Sequence, residues 1–378
     1  MRASRILLPA VATMMLSAAC LAPDAVAQTR IKLGVIGPLT GDFAFGGQFQ
    51  LNGARLKVDE LNARKEGITV ELVAEDDQSK CDVAVAAARK LITRDRVDAV
   101  LGAWQSTCTL AILPITAQAE VPQFTTSVAA GITQRGSKWI FRVALPTRIL
   151  NRSSLEYAVK VMKIDKIAIF TSNEEVGKSI ARDSAQILAS LGMTPVATEE
   201  WTRGDKDFTG QLGRIKASGA RAIIAGTGFT DMAIIARQVR ELGLNVQLIG
   251  GDTIGGNPKF LELAGADADG MIFSIVFLPV GGDAAIGPFV DRYKAVHGVL
   301  PDSWAAEFYD TVGMIYELVK ANRGVVSRKA IADYTRGLKL GAGYRGVMGE
   351  IYFDETGEAA WPPIIGQVKG GSWTILRR

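Results

Sequence analysis

Histidine is almost missing from this chain of 378 residues: the one present, His297, stands at a polar helix end before Gly298. With only three cysteines beside it, no Cys/His/carboxylate cluster has metal-ligand spacing, so neither a zinc site nor any other cofactor is expected. No Gly-x-Ser-x-Gly elbow and no Walker loop occurs. Gly226-Thr227-Gly228 is half of a dinucleotide fingerprint, lacks the third glycine, and reads as an ordinary strand-to-helix turn. An amidase or a dehydrogenase needs a nucleophile, a base or a cofactor loop, and none is found; the chain is expected not to be an enzyme. Neither sign of charge dominates. The 43 basic and 39 acidic residues are interspersed and leave a net +4, which gives no patch for nucleic acid.

Long apolar runs are scarce as well. Arg2 and Arg5 open the chain, an apolar stretch follows from Ile6 to Leu16, and Ala25-Val26-Ala27 supplies a small–x–small cleavage signal before Gln28. That stretch is too short and interrupted to span a bilayer. Residues 1–27 therefore read as a cleaved secretory signal rather than an anchor. Lipid attachment at Cys20 is a weaker alternative, because Leu16 stands one place too far from it. Export leaves Cys81 and Cys108 in an oxidising compartment, each at or near the start of a helix that follows a strand. Two such helix starts lie side by side at one end of a sheet, which suits a disulfide; two separate buried thiols are the other reading.

At this length two domains are the natural expectation. Ile31–Gly37 and Ile68–Glu75 read as strands, with a helix of periodic apolar residues at 48–63 between them. The stretch Val97–Thr133 holds two short strand-to-turn units, Ala99–Gly102 before Gln105-Ser106-Thr107, and Val121–Thr125 before Thr126-Ser127-Val128-Ala129. In a parallel α/β sheet both turns fall at carboxyl ends of strands, where ligands sit, and free N–H groups there suit an anion. Both serines could equally be plain helix caps. A second α/β series runs from helix 151–162 to strand 270–276, with Asp252 just past the strand at 247–250. Three helices (284–297, 305–322, 327–338) and strands at 348–353, 364–367 and 373–376 must pack back on these sheets. The expected fold is α/β, two Rossmann-like lobes joined by a three-segment hinge. The segments 30–146 and 278–350 form the first lobe, and 147–277 and 351–378 the second.

IKLGVIGPLTGDFAFGGQFQLNGARLKVDELNA, the EDDQS turn, AVAAARKLI, VDAVLG, VPQFTTS, IFRV and YFDETGE occur here in one order. In that order the chain resembles the branched-chain amino-acid (Leu/Ile/Val) type of periplasmic substrate-binding protein of ABC transporters, from about Ile31 to the end. The resemblance implies a type I architecture, a monomer, ligand capture by lobe closure, and delivery of an amino acid or small carboxylate to an inner-membrane ABC permease. It places Ser106 on the ligand carboxylate, with Ser127 and the backbone of Ala129 beside it, and Asp252 on the ligand ammonium. It also implies that the disulfide joins the helix starts bearing Cys81 and Cys108. Three aromatic positions differ. Val176 stands before the glycine of a second-lobe helix, Gly228 or Phe229 replaces a tyrosine, and Gly46 replaces another beside Phe43 and Phe45. Trp104 stands where an aliphatic wall residue is common. Trp104, Phe43 and Phe45 either line the ligand or pack the lobes. A larger amino acid, an aromatic acid or an amide thus competes with Leu/Ile/Val, and a sensory module feeding a membrane receptor is the alternative role.

Overall fold

The structure is a computed structural model and describes residues 29–226, 228–280 and 286–377. The signal segment 1–27 with Cys20, residue Thr227, and the beginning of the helix expected at 284 lie outside the described residues.

The first lobe alternates β1 (Thr29–Gly37), α1 (Ala44–Ala63), β2 (Ile68–Asp76), α2 (Cys81–Thr93), β3 (Ala99–Leu101), α3 (Ser106–Gln118), β4 (Gln123–Thr125) and β5 (Ile140–Arg142). All five strands are parallel, in the order β2-β1-β3-β4-β5. The two-residue period of a strand assigns the faces. Ile31, Leu33 and Val35 enter one apolar cluster with α1, while Ile36 enters another with Ala84, Leu91 and Ile112 of α2 and α3.

The second lobe runs through α4 (Thr147–Glu156), β6 (Ile167–Ser172), α5 (Glu175–Ser190), β7 (Ala197–Trp201), α6 (Thr209–Ala217), β8 (Ala222–Gly226), α7 (Phe229–Glu241), β9 (Gln247–Gly250), α8 (Pro258–Ala264) and β10 (Ile272–Ile275). Then come α9 (Gly287–His297), α10 (Ser303–Ala321), α11 (Arg328–Gly337), the hairpin β11 (Tyr344–Gly346) and β12 (Gly349–Ile351), and finally β13 (Ile364–Lys369) and β14 (Ser372–Arg377). The second sheet is ordered β14-β13-β10-β9-β8-β6-β7, with β13 and β14 antiparallel at one edge. The mainly parallel, two-lobed α/β fold is as expected.

α10 returns to the first lobe and lies along α1. A Cβ on Gly53 would stand 2.0 Å from the Ala305 carbonyl oxygen, so that contact needs glycine. Ala144, Leu145, Val276 and Phe277, from the first two crossings, share one apolar cluster with half-buried Trp361 of the third. The third crossing was expected at 350/351 and falls after Ala359 instead. Ile351, Phe353 and Ala359 are buried in the first lobe's core, and Glu358 bridges Arg142 at the end of β5. Strand alternation alone does not show which sheet a short edge segment joins. The strand expected at 348–353 is the hairpin β11–β12, turned at Gly346–Gly349.

Cys81 and Cys108, in the first turns of α2 and α3, form a disulfide with Cα atoms 4.5 Å apart. Their separation of 27 residues corresponds to a loop-closure stabilisation of about 3.5 kcal/mol. Reduction, or the Cys81→Ser/Cys108→Ser double variant, is expected to lower unfolding stability in urea by about that amount. A loss below about 1 kcal/mol would contradict this reading of the bridge.

Candidate binding cleft

The carboxyl ends of β3, β4, β6, β8 and β9 face one another across the gap between lobes and border a narrow cleft with about 70 Å³ of internal space. From the first lobe come Phe43, the turn Trp104–Thr107, the turn Thr126–Val128, and Trp304 at the start of α10. The second lobe supplies Glu174, Val176, Ile180, Gly226, Gly228 and Gly251–Thr253. Among the described residues no lysine, arginine or histidine is in this lining.

Backbone geometry sets the anionic end. α3 begins at Ser106, so the N–H groups of Ser106, Thr107 and Cys108 have no acceptor within the helix and point toward the cleft with the positive end of its dipole. Ser106 Oγ accepts the Ala129 N–H at 3.3 Å and keeps its own proton to donate. Ser127 behaves otherwise. Its hydroxyl lies 2.7 Å from Thr109 Oγ1 and reaches the carbonyls of Ala103 at 3.1 Å and Trp104 at 2.9 Å, so it braces the first turn. It borders the cleft without a free hydroxyl to offer. Ala129 is fully buried and outside the lining; its N–H goes to Ser106 and its carbonyl to Arg142 at 2.8 Å. A small-polar run shows where a turn falls, and not which of its groups are spent on one another.

Asp252 follows β9, part-buried on the opposite wall. Burial pushes its carboxyl up to about 6, although its own N–H and that of Thr253 favour the charged form. Glu174 is also pushed up by burial, while Arg203 at 3.7 Å holds it down. Arg203 reaches across to Asp42 of the first lobe at 3.0 Å, with its guanidinium 4.2 Å from the Phe43 ring centre. Thus one arginine joins the lobes at the side of the cleft.

The aromatic positions are rearranged together. Trp104 packs on Phe43 at 5.1 Å, Trp304 at 5.3 Å and Phe45 at 5.6 Å between ring centres. A Cβ on Gly46 would lie 2.6 Å from the Trp104 indole, so the indole occupies the space that a side chain at 46 would need. Phe45 meets Phe229 edge-on at 4.0 Å; the two close the lobes on each other and stand outside the lining. The cleft therefore joins Trp104, Ser106, Ser127, Val176 and Asp252 of the expected set and leaves out Ala129, Phe45 and Phe229. Trp304 was missed in the sequence, since it lies 52 residues past Asp252; Asp302, the N-cap of α10, was its available signal. Asp76, one of a carboxylate pair, fixes the Leu39–Thr40 loop by accepting the N–H groups of both, at 2.9 and 3.1 Å.

The periplasmic binding protein family model matches residues 30–372. The chain belongs to the periplasmic binding protein family. Among relatives, the Leu/Ile/Val-binding protein BraC3 of Rhizobium johnstonii is 28% identical over 348 residues, covering 90% of this chain and 92% of that one. The substrate-binding protein LivJ of a branched-chain amino-acid transporter from Streptococcus pneumoniae, solved with isoleucine, has a TM-score of 0.83 at 26% identity and covers 92% of this chain and 100% of its own. A solute-binding protein of an ABC transporter from Rhodopseudomonas palustris, solved with 3,4-dihydroxybenzoic acid, shares the fold with a TM-score of 0.82 at 24% identity, over 90% and 93% of the two chains. The family consists of substrate-binding proteins rather than enzymes. Among the described residues no group of three His, Cys, Asp or Glu could hold a metal ion, and no helix is long and apolar enough to cross a membrane.

Proposed function

We propose that this protein is the solute-binding component of an ABC uptake transporter, that it takes an amino acid or a related small carboxylate by closing its lobes, and that it hands it to a membrane permease. The observation that carries this reading is the polarity of the cleft. An anion-binding helix start with the Ser106 hydroxyl faces a carboxylate, Asp252, that has no cation in the lining. A ligand carboxylate sits at the α3 start, its amine at Asp252, and its body between Trp104, Trp304, Val176 and Ile180. Calorimetric titration of the mature chain with amino acids, aromatic acids and short amides tests the reading, and binding by none of them would sink it.

An aromatic carboxylate without an amine is the second reading. Trp104, Trp304 and Phe43 favour it by giving one wall three rings. The pH dependence separates the two. Only the ionised Asp252 pairs with an ammonium, and burial pushes its carboxyl up to about 6. Affinity for an amine ligand is expected to rise with pH up to about 6 and level off above, falling about tenfold per pH unit below. A flat profile between pH 4.5 and 8 would remove Asp252 from the ligand's amine.

A further inference from the structure

Arg203 stands outside the lining of the cleft, yet it holds parts of both lobes at once. From the turn that follows β7, its Nη2 donates to Asp42 Oδ2 of the first lobe at 3.0 Å, and its Nη1 lies 3.7 Å from Glu174 Oε1 of its own lobe. The turn itself is fixed. Thr202 N–H donates to Asp205 Oδ2 at 2.8 Å, and Asp205 N–H donates to the Thr202 carbonyl at 3.0 Å. The guanidinium also covers the ring of Phe43, a first-lobe residue of the lining. A Cβ on Gly228 of the second lobe would lie 3.6 Å from that same ring, so Phe43 is in contact with two segments of the opposite lobe.

The strand order places this contact. In the second sheet β7 is an edge strand, with β6, β8 and β9 between it and β10, from which one crossing leaves. In the first sheet Asp42 follows β1, in a loop tied to Asp76 at the end of edge strand β2. The first crossing leaves from β5, at the opposite edge. The contact therefore lies far along both sheets from those crossings, where a hinge rotation parts the lobes furthest.

We infer that Arg203 is the latch of the closed cleft, a positioning residue that sets how long a ligand stays by tying Asp42 and Phe43 to Glu174 when the lobes meet. This rests on the reading of the cleft as one that closes on a solute. Opening takes the guanidinium away from Asp42 and from the Phe43 ring and leaves it Glu174 alone. An exposed ion pair shifts an equilibrium by at most about fivefold, and Asp42 is 80% exposed. The cation on the ring face adds a factor of similar size. A ligand enters the open form and leaves only after reopening, so loss of the latch speeds release and spares association. The latch is made of protein groups alone, so its loss weakens every ligand by the same factor.

Calorimetric and stopped-flow titration of Arg203→Gln against the unchanged mature chain, with leucine, phenylalanine, benzoate and acetamide as probes, tests this. Each probe that binds is expected to lose at least fivefold in affinity, by factors that agree within about twofold, through faster dissociation at an unchanged association rate. Asp42→Asn should give a smaller rise in dissociation rate, and the double variant no more than Arg203→Gln alone, because Asp42 acts through the guanidinium. The urea midpoint should stay in place in all three, since the contact lies between the lobes and in neither core. If the dissociation rates of bound probes do not change, or if the losses differ more than fivefold between probes, the inference is overturned while the solute-binding reading stands. If none of the four probes binds the unchanged chain, both fall.

Discussion

Replacing Asp252 with alanine removes most of the affinity for any ligand held by its amine, by about 100-fold or more, and leaves a carboxylate without an amine almost unaffected. The size follows from where the charge would be stranded. The cleft has no basic side chain and little room for water once the lobes meet, so in the Asp252→Ala variant a ligand ammonium keeps neither its hydration nor a counter-charge. Breaking one half of a buried charge pair typically costs about 3–5 kcal/mol. Asp252→Asn keeps the shape and the hydrogen-bonding oxygen and recovers only a part, because the charge is what is missing. Calorimetric titration with an amine ligand and an amine-free carboxylate on the same variants separates the effects. Equal retention of both ligands would take Asp252 out of the site.

The second large effect lies away from the cleft. Glu358→Ala is expected to destabilise the first lobe by about 3–5 kcal/mol, read as a lower urea midpoint at unchanged slope. Arg142 is fully buried, and burial lowers its guanidinium to about 10, still protonated at neutral pH. Its compensating charge is Glu358 at 3.7 Å, and Glu358 also accepts from Arg148 and from Thr133 Oγ1 at 2.7 Å. Without that carboxylate the guanidinium keeps the Ala129 carbonyl and its Nε and Nη1, already without partners, gain nothing. The same variant should loosen the turn bearing Ala129, whose N–H donates to Ser106 Oγ, so a weaker ligand grip is expected beside the lower midpoint. A loss under about 1 kcal/mol would mean that water replaces the carboxylate. Asp252→Ala, by contrast, removes a part-buried carboxylate that has no cation in the cleft lining and should not lower stability.

Much of this was legible in the residues, and what was not has a physical cause. Strands such as Ile31–Gly37 and Ala222–Ala225 are buried on both faces, so they read as continuous apolar runs and imply the parallel sheet. Asp252 and Ser106 stand next to such strands, and their place in the cleft follows from topology alone. Ser127 and Ala129 look the same in sequence, yet their polar groups are spent on Thr109, Thr125 and Ser106, partners chosen by three-dimensional neighbours. Trp304 and Glu358 come from segments that return to a lobe after a long absence. No local pattern says which cavity such a returning helix or edge closes.

The pairing of Gly46 with Trp104 has a consequence for how such a protein changes its diet. The space under that wall is shared by two positions 58 residues apart in the chain. A larger residue at 46 alone collides with the indole, and a smaller one at 104 alone leaves a hole above a glycine. Neither single step passes through a well-packed intermediate. Ligand preference at this wall should therefore shift in paired exchanges, in which the two residues trade volume, rather than drift one substitution at a time.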